Sequence, residues 1–154
     1  MTTQKPLVLI LCTGNSCRSQ MAEALINHYL GDTWEAFSAG TAPTGYVHPM
    51  ARRVLDALGI DLRFLQSKNV TEFKGQTFDV VITVCDDAAE NCPVWLGAGN
   101  VVHIGFPDPA KFQGTDEQVI NEFRRVRDSI RHKIFAFLKQ VEKSAAQISD
   151  RQAS

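Results

Sequence analysis

Short apolar runs alternate along the chain with longer stretches of mixed polarity. Leu7-Val8-Leu9-Ile10-Leu11, with Pro6 before it and a glycine loop after it, predicts a buried strand over 5–12. Met21, Ala24, Leu25 and His28 then recur at helical spacing and predict a helix over 19–28. A second strand is expected over 34–39, stopped by Gly40 and the turn-rich TAPTG. Val54, Leu55 and Leu58 mark a helix over 48–58, with Gly59 in the usual stop position. FDVVITVC predicts a strand over 78–85, and another apolar run predicts one over 101–106. Thr115 and Gln118 form a capping box. Behind it Val119, Phe123, Val126, Ile130, Ile134, Phe137 and Val141 give one helical stripe. From Lys143 the chain is polar and expected to fray.

Near-continuous apolar strands alternating with helices point to an α/β fold with a parallel sheet covered on both faces. The expectation is a single domain over 1–142, a four-stranded parallel sheet flanked by helices, and a polar tail over 143–154. Ligands of such sheets bind beyond the carboxyl ends of the strands. Cys12, Cys85 and the FPDP that follows the last strand all fall at such ends.

Composition narrows the partners. A hydrophobic share of 44% and a charged share of 21% are ordinary for a soluble globular protein. A net charge of -1 offers no electrostatic case for nucleic acid or an anionic membrane. No apolar run approaches membrane-spanning length, and MTTQKPLVLILC has no signal-peptide pattern, so a cytoplasmic, monomeric protein is expected. In that compartment four cysteines point to metal, catalysis or redox chemistry rather than structural disulfides.

The chemistry concentrates in CTGNSCRS, residues 12–19, between the first strand and the first helix. Backbone N–H groups of a tight loop can converge on an anion, helped by the N-terminus of the following helix. Thr13, Gly14, Asn15, Ser16, Cys17, Arg18 and Ser19 are the candidate oxyanion-binding residues, with Gly14 and Asn15 tolerating conformations closed to most side chains. Arg18 can grip two oxygens with its planar fork. The same positive field stabilises a thiolate and makes Cys12 the candidate nucleophile, with Ser19 placed to donate to it. Alone, Cys12 would read as an inert core cysteine; Gly14, Arg18 and Ser19 beside it reverse that reading. A nucleotide P-loop is excluded, because G-x4-G-K-[ST] is absent. Asp108, held between two prolines in GFPDPA, is the candidate proton donor to a departing oxygen. Cys85 and Cys92 are badly spaced for zinc, which leaves two unrelated core cysteines or a redox pair. No histidine spacing suggests metal, and Arg124 to Arg127 reads as a solvated helix face.

CTGNSCRS at the first strand–helix junction resembles the phosphate-binding loop of low-molecular-weight protein tyrosine phosphatases, and still more that of thioredoxin-coupled arsenate reductases of the same fold. The resemblance runs over 7–141. It implies a general acid at Asp108 and reduction of arsenate to arsenite through Cys12, Cys85 and Cys92. It also implies a disulfide that passes from Cys12–Cys85 to Cys85–Cys92, no bound cofactor, and thioredoxin as electron donor, with glutaredoxin and glutathione as the alternative. The loop motif alone leaves two other readings open, a small phosphatase of the same fold and a non-enzymatic redox or oxyanion sensor, while weak phosphatase activity is compatible with the reductase. Two positions depart from the pattern. Ala110 stands where the phosphatases carry a tyrosine after Asp-Pro. Some reductases hold potassium through side chains matching Asn15, Glu23 and Ser38 together with an aspartate, and Lys68 takes that aspartate's place, so its ammonium is expected to substitute for the ion. Cys17 is expected to pack the loop rather than to protect Cys12 from peroxide.

Overall fold

The strand β1 (Leu7–Cys12) lies inside the sheet, paired in parallel with β2 (Glu35–Gly40) on one side and with β3 (Val80–Thr83) on the other. β4 (Asn100–His103) pairs in parallel with β3 and completes a four-stranded sheet of order β2-β1-β3-β4. These elements come from a computed structural model that describes residues 4–86, Trp95, Gly97 and 99–153. Three α-helices follow the strand crossovers: α1 (Arg18–Tyr29), α2 (Pro49–Asp56) and α3 (Asp116–Ala153).

Strand alternation divides the interior. Val8, Ile10, Val80, Ile82 and Val84 face the larger core, which they share with Met21 and Leu25 of α1, Val54 and Leu55 of α2, and Phe123 and Ile134 of α3. Leu9, Leu11 and Val81 face the other way and are closed over by Phe78 and by Phe73 of a short 3-10 turn, Val70–Phe73. Both faces are therefore covered, as the unbroken apolar strands require. At the edge, the Asn27 side chain donates to the Ala36 carbonyl (3.0 Å) and accepts from the Ala36 amide (2.8 Å), which satisfies backbone groups of β2 as a neighbouring strand would.

The ladder is shorter than the apolar runs. Expected over 78–85 and 101–106, the third and fourth strands occupy Val80–Thr83 and Asn100–His103. Asp79 is taken up in the entry turn, where its carboxylate accepts from the Leu7 amide (2.7 Å). Val84 still donates to the Leu11 carbonyl (3.0 Å) before the chain leaves the sheet. In α3 the capping box forms as expected, with Thr115 and Gln118 exchanging bonds of 2.9 and 3.2 Å. The buried stripe is rotated by one residue at both ends: Ile120 and Leu138 are in the core, whereas Val119, Phe137 and Val141 flank it. Beyond Glu142, whose carboxylate accepts from the Trp34 indole (2.7 Å), the helix continues through the expected tail with residues 143–148 exposed. Among the described residues no helix is long and apolar enough to cross a membrane.

Two isoleucines of α3 separate the packed part of the helix from the projecting part. Ile134→Ala is expected to lower the unfolding free energy by about 2–5 kcal/mol, because Ile134 is fully buried. Ile148→Ala, at a residue 57% exposed, should change it by less than about 0.5 kcal/mol. Denaturant unfolding of the two variants checks the pair.

Candidate active site

Parallel pairing brings the carboxyl ends of all the strands to one edge, and the loop over 12–19 opens there. Its carbonyls are all committed outward. The Thr13 carbonyl accepts from the Ala42 amide, that of Gly14 from Thr44, and that of Ser16 from His48, each at 3.0 Å. The Asn15 carbonyl accepts from the Gln20 side chain at 3.1 Å. In a trans peptide the N–H points opposite to the preceding C=O. The amides of Gly14, Asn15, Ser16 and Cys17 therefore face the concavity, next to the N-terminal end of α1. This is an oxyanion cradle.

Asn15, not Gly14, carries the unusual backbone: its φ is +47°, in the left-handed region. A Cβ at Gly14 would meet the Thr44 side chain at 3.3 Å and Ser16 Oγ at 3.8 Å. The glycine that the loop does require is Gly40. It lies opposite Cys12 in the β1–β2 ladder, and a Cβ there would sit 2.3 Å from the Thr13 carbonyl oxygen. The left-handed Asn15 is held by its own side chain, which donates to Ser19 Oγ (2.8 Å) and Ser38 Oγ (3.0 Å) and accepts from the Lys68 amide (2.8 Å). Ser19 Oγ accepts here, so its hydroxyl hydrogen stays available for another acceptor.

Arg18 is buried, with Nη1 donating to the Phe106 carbonyl (3.1 Å) and Nη2 3.6 Å from Asp108 Oδ2. One guanidinium thus ties the anion loop to the loop that carries the candidate acid. Asp108 caps the 3-10 turn Pro109–Lys111, where its Oδ1 accepts from the Ala110 amide (3.0 Å). Cys12 and Cys17 are both buried free thiols. Burial pushes the Cys17 thiol up to about 12; the contact with Ser16 Oγ (3.6 Å) opposes this, and repulsion from Asp108 and Cys12 adds to it. Cys17 therefore stays protonated near neutrality. Cys85 is fully buried and disulfide-bonded. The remaining candidate, Cys92, lies outside the described residues.

Behind the loop, Glu23 accepts from Ser38 Oγ (3.0 Å) and faces Lys68 Nζ at 3.6 Å. Burial pushes the Glu23 carboxyl up, and Lys68 and Ser38 pull it back toward the charged form. Lys68 Nζ also donates to the Gln66 carbonyl (2.8 Å), which holds its ammonium beside Glu23. Among the described residues no group of three or more His, Cys, Asp or Glu could hold a metal ion. Sequence reasoning missed Gln20 and His48. His48 caps α2, backs the loop through its amide, and packs on Phe123 with ring centroids 4.8 Å apart. Burial lowers its pKa against the opposing pull of Asp108. Nothing in the spacing of the histidines marks it.

The profile of the low molecular weight phosphotyrosine protein phosphatase family matches residues 7–147. An arsenate reductase of Halalkalibacterium halodurans is 45% identical over 133 residues, which cover 86% of this chain and 95% of that protein. The arsenate reductase of Bacillus subtilis is 40% identical over 134 residues, 87% of this chain and 96% of its own length. Among solved structures, an arsenate reductase in its reduced state superimposes with a TM-score of 0.69 at 25% identity, covering 88% of this chain and 98% of that one. The thioredoxin-dependent arsenate reductase of Corynebacterium glutamicum gives 0.59 at 26% identity, over 87% of this chain and 63% of that one. An inward-facing amide cradle beside the free thiol of Cys12, an arginine tied to an Asp-Pro loop and this kinship agree, and the chain belongs to the low-molecular-weight phosphotyrosine protein phosphatase family, among its arsenate reductases.

Proposed function

We propose that this protein reduces arsenate to arsenite through a relay of Cys12, Cys85 and Cys92, and that thioredoxin resets it. The observation that carries the reading is two sulfurs in different states, Cys12 at the end of β1 and Cys85 two residues beyond the neighbouring β3. Leu11 pairs with Thr83 and accepts from the Val84 amide, so Cys12 and Cys85 follow one another across the same sheet edge. Cys12 is a free thiol while Cys85 is oxidised. That is the distribution the relay leaves after its last internal step.

Each step balances. The loop amides and Arg18 hold arsenate, and the Cys12 thiolate bonds to arsenic as one oxygen departs with a proton from Asp108. A Cys85 thiolate then attacks Cys12 Sγ. The S–As electron pair passes to arsenic, which leaves as arsenite, and a Cys12–Cys85 disulfide forms. Attack by the Cys92 thiolate on Cys85 moves the bond to Cys85–Cys92 and returns Cys12 as a thiolate. The thioredoxin dithiol takes the oxidation outward by the same exchange chemistry. Cys85 is fully buried, so in this reading the outgoing exchange uses the other sulfur of the pair. Phosphate fits the same cradle but accepts no electron pair in this way, so an ester bound there is hydrolysed. The reading takes the enzyme as a cytoplasmic monomer that works without a bound cofactor. The Lys68 ammonium occupies the cation's role beside Glu23, and Cys17 packs the loop.

Three outcomes check this reading. After one arsenate turnover without a reductant, peptide mapping should find Cys85 joined to Cys92, and in Cys92→Ser it should find Cys12 joined to Cys85; turnover that leaves neither bond overturns the relay. Asp108→Asn should lower kcat by about 10²–10⁴-fold while inorganic phosphate still binds, as removal of a general acid does. Arsenate-dependent NADPH consumption should run with thioredoxin and thioredoxin reductase and stop when glutaredoxin and glutathione replace them.

A further inference from the structure

Of the four outward carbonyls that shape the cradle, three are met by backbone amides, those of Ala42, Thr44 and His48. The fourth, at Asn15, is met by a side chain, Gln20 Nε2. The left-handed residue of the loop thus depends on a donor that a single substitution can remove. Gln20 sits in the first turn of α1 and is fully buried.

Its amide is pinned from three directions. Gln20 Nε2 lies 3.1 Å from the Asn15 carbonyl, 2.9 Å from Asn15 Oδ1 and 2.7 Å from the Gln66 carbonyl. All three partners are oxygens, so the opposite amide orientation would put Oε1 against three acceptors. The NH2 group has two hydrogens. They meet three acceptors, so at least one hydrogen is shared, and two of the three oxygens belong to the same asparagine. That common donor forces the Asn15 carbonyl and its side-chain oxygen to face one point, which restricts both the backbone ψ and the side-chain torsions of Asn15. With its carbonyl fixed outward, the next amide, on Ser16, is fixed inward. The Gln66 contact then anchors this arrangement to the segment whose Lys68 amide also grips Asn15.

The other end of the same side chain argues against a purely space-filling role. Gln20 Oε1 is buried and meets no hydrogen-bond partner among the described residues. An apolar residue of similar size would fill the volume without leaving a buried acceptor unmet. What the amide contributes is therefore on the Nε2 side, toward the loop. We propose that Gln20 is a positioning residue for oxyanion binding, which holds Asn15 left-handed and so aims the Ser16 amide into the cradle. The inference rests on reading the loop as an oxyanion cradle.

Titration calorimetry with inorganic phosphate on the full chain tests it, alongside thermal unfolding. Gln20→Met keeps the volume and removes the donor, and should weaken phosphate binding about tenfold while the protein still unfolds cooperatively. Gln20→Asn, which draws the amide back by one methylene, should give a similar loss and serves if the methionine variant does not fold. Glycine adopts a left-handed φ without penalty. In an Asn15→Gly background, adding Gln20→Met should therefore cost less than about threefold. Folded Gln20 variants that bind phosphate within about twofold of the parent overturn the proposal, as does an undiminished loss in the Asn15→Gly background. A parent protein that binds no phosphate at all overturns the cradle reading instead.

Discussion

The loop between β1 and α1 works because its carbonyls are hydrogen-bonded away from the site. Thr13, Gly14 and Ser16 give theirs to the backbone over 42–48, and Asn15 gives its to Gln20. Because each peptide is planar and trans, that outward commitment turns a row of amides inward without any charged side chain having to supply the field. Arg18 adds its charge from the helix start and is itself held by the Phe106 carbonyl and Asp108. The loop amides, Arg18 and Asp108 are then organised by one set of bonds. The preorganisation is mostly backbone, and backbone is stiff.

Sulfur placement follows the same economy. Two cysteines in one loop would compete as nucleophiles if both ionised. Burial raises Cys17 to about 12 and takes it out of the competition. Cys85 lies just past β3, not in the loop, two residues beyond Thr83, where regular pairing ends.

The parts of this arrangement that are local in sequence were legible there. The apolar run, the C-x5-R-S spacing and the proline-bounded Asp108 each act within a few residues of themselves. Gln20, Ser38 and Lys68 belong to a network closed over separations as large as 53 residues between Asn15 and Lys68, and no short pattern encodes it. Periodicity placed the α3 stripe one residue off at its ends because Val119 and Ile120, like Phe137 and Leu138, are adjacent apolar pairs. Only packing decides which of each pair turns inward. Gly14 and Asn15 were both chemically able to take the left-handed position. The bonds available to an asparagine side chain selected Asn15.

The clamp of Asn27 on Ala36 has a further meaning for the molecule in solution. β2 ends the sheet on that flank, and an open strand margin would invite a second molecule to extend the ladder. One amide from α1 already stands where such a strand would bond. The clamp closes the bonding position at Ala36 and so shortens the margin that such a ladder could use.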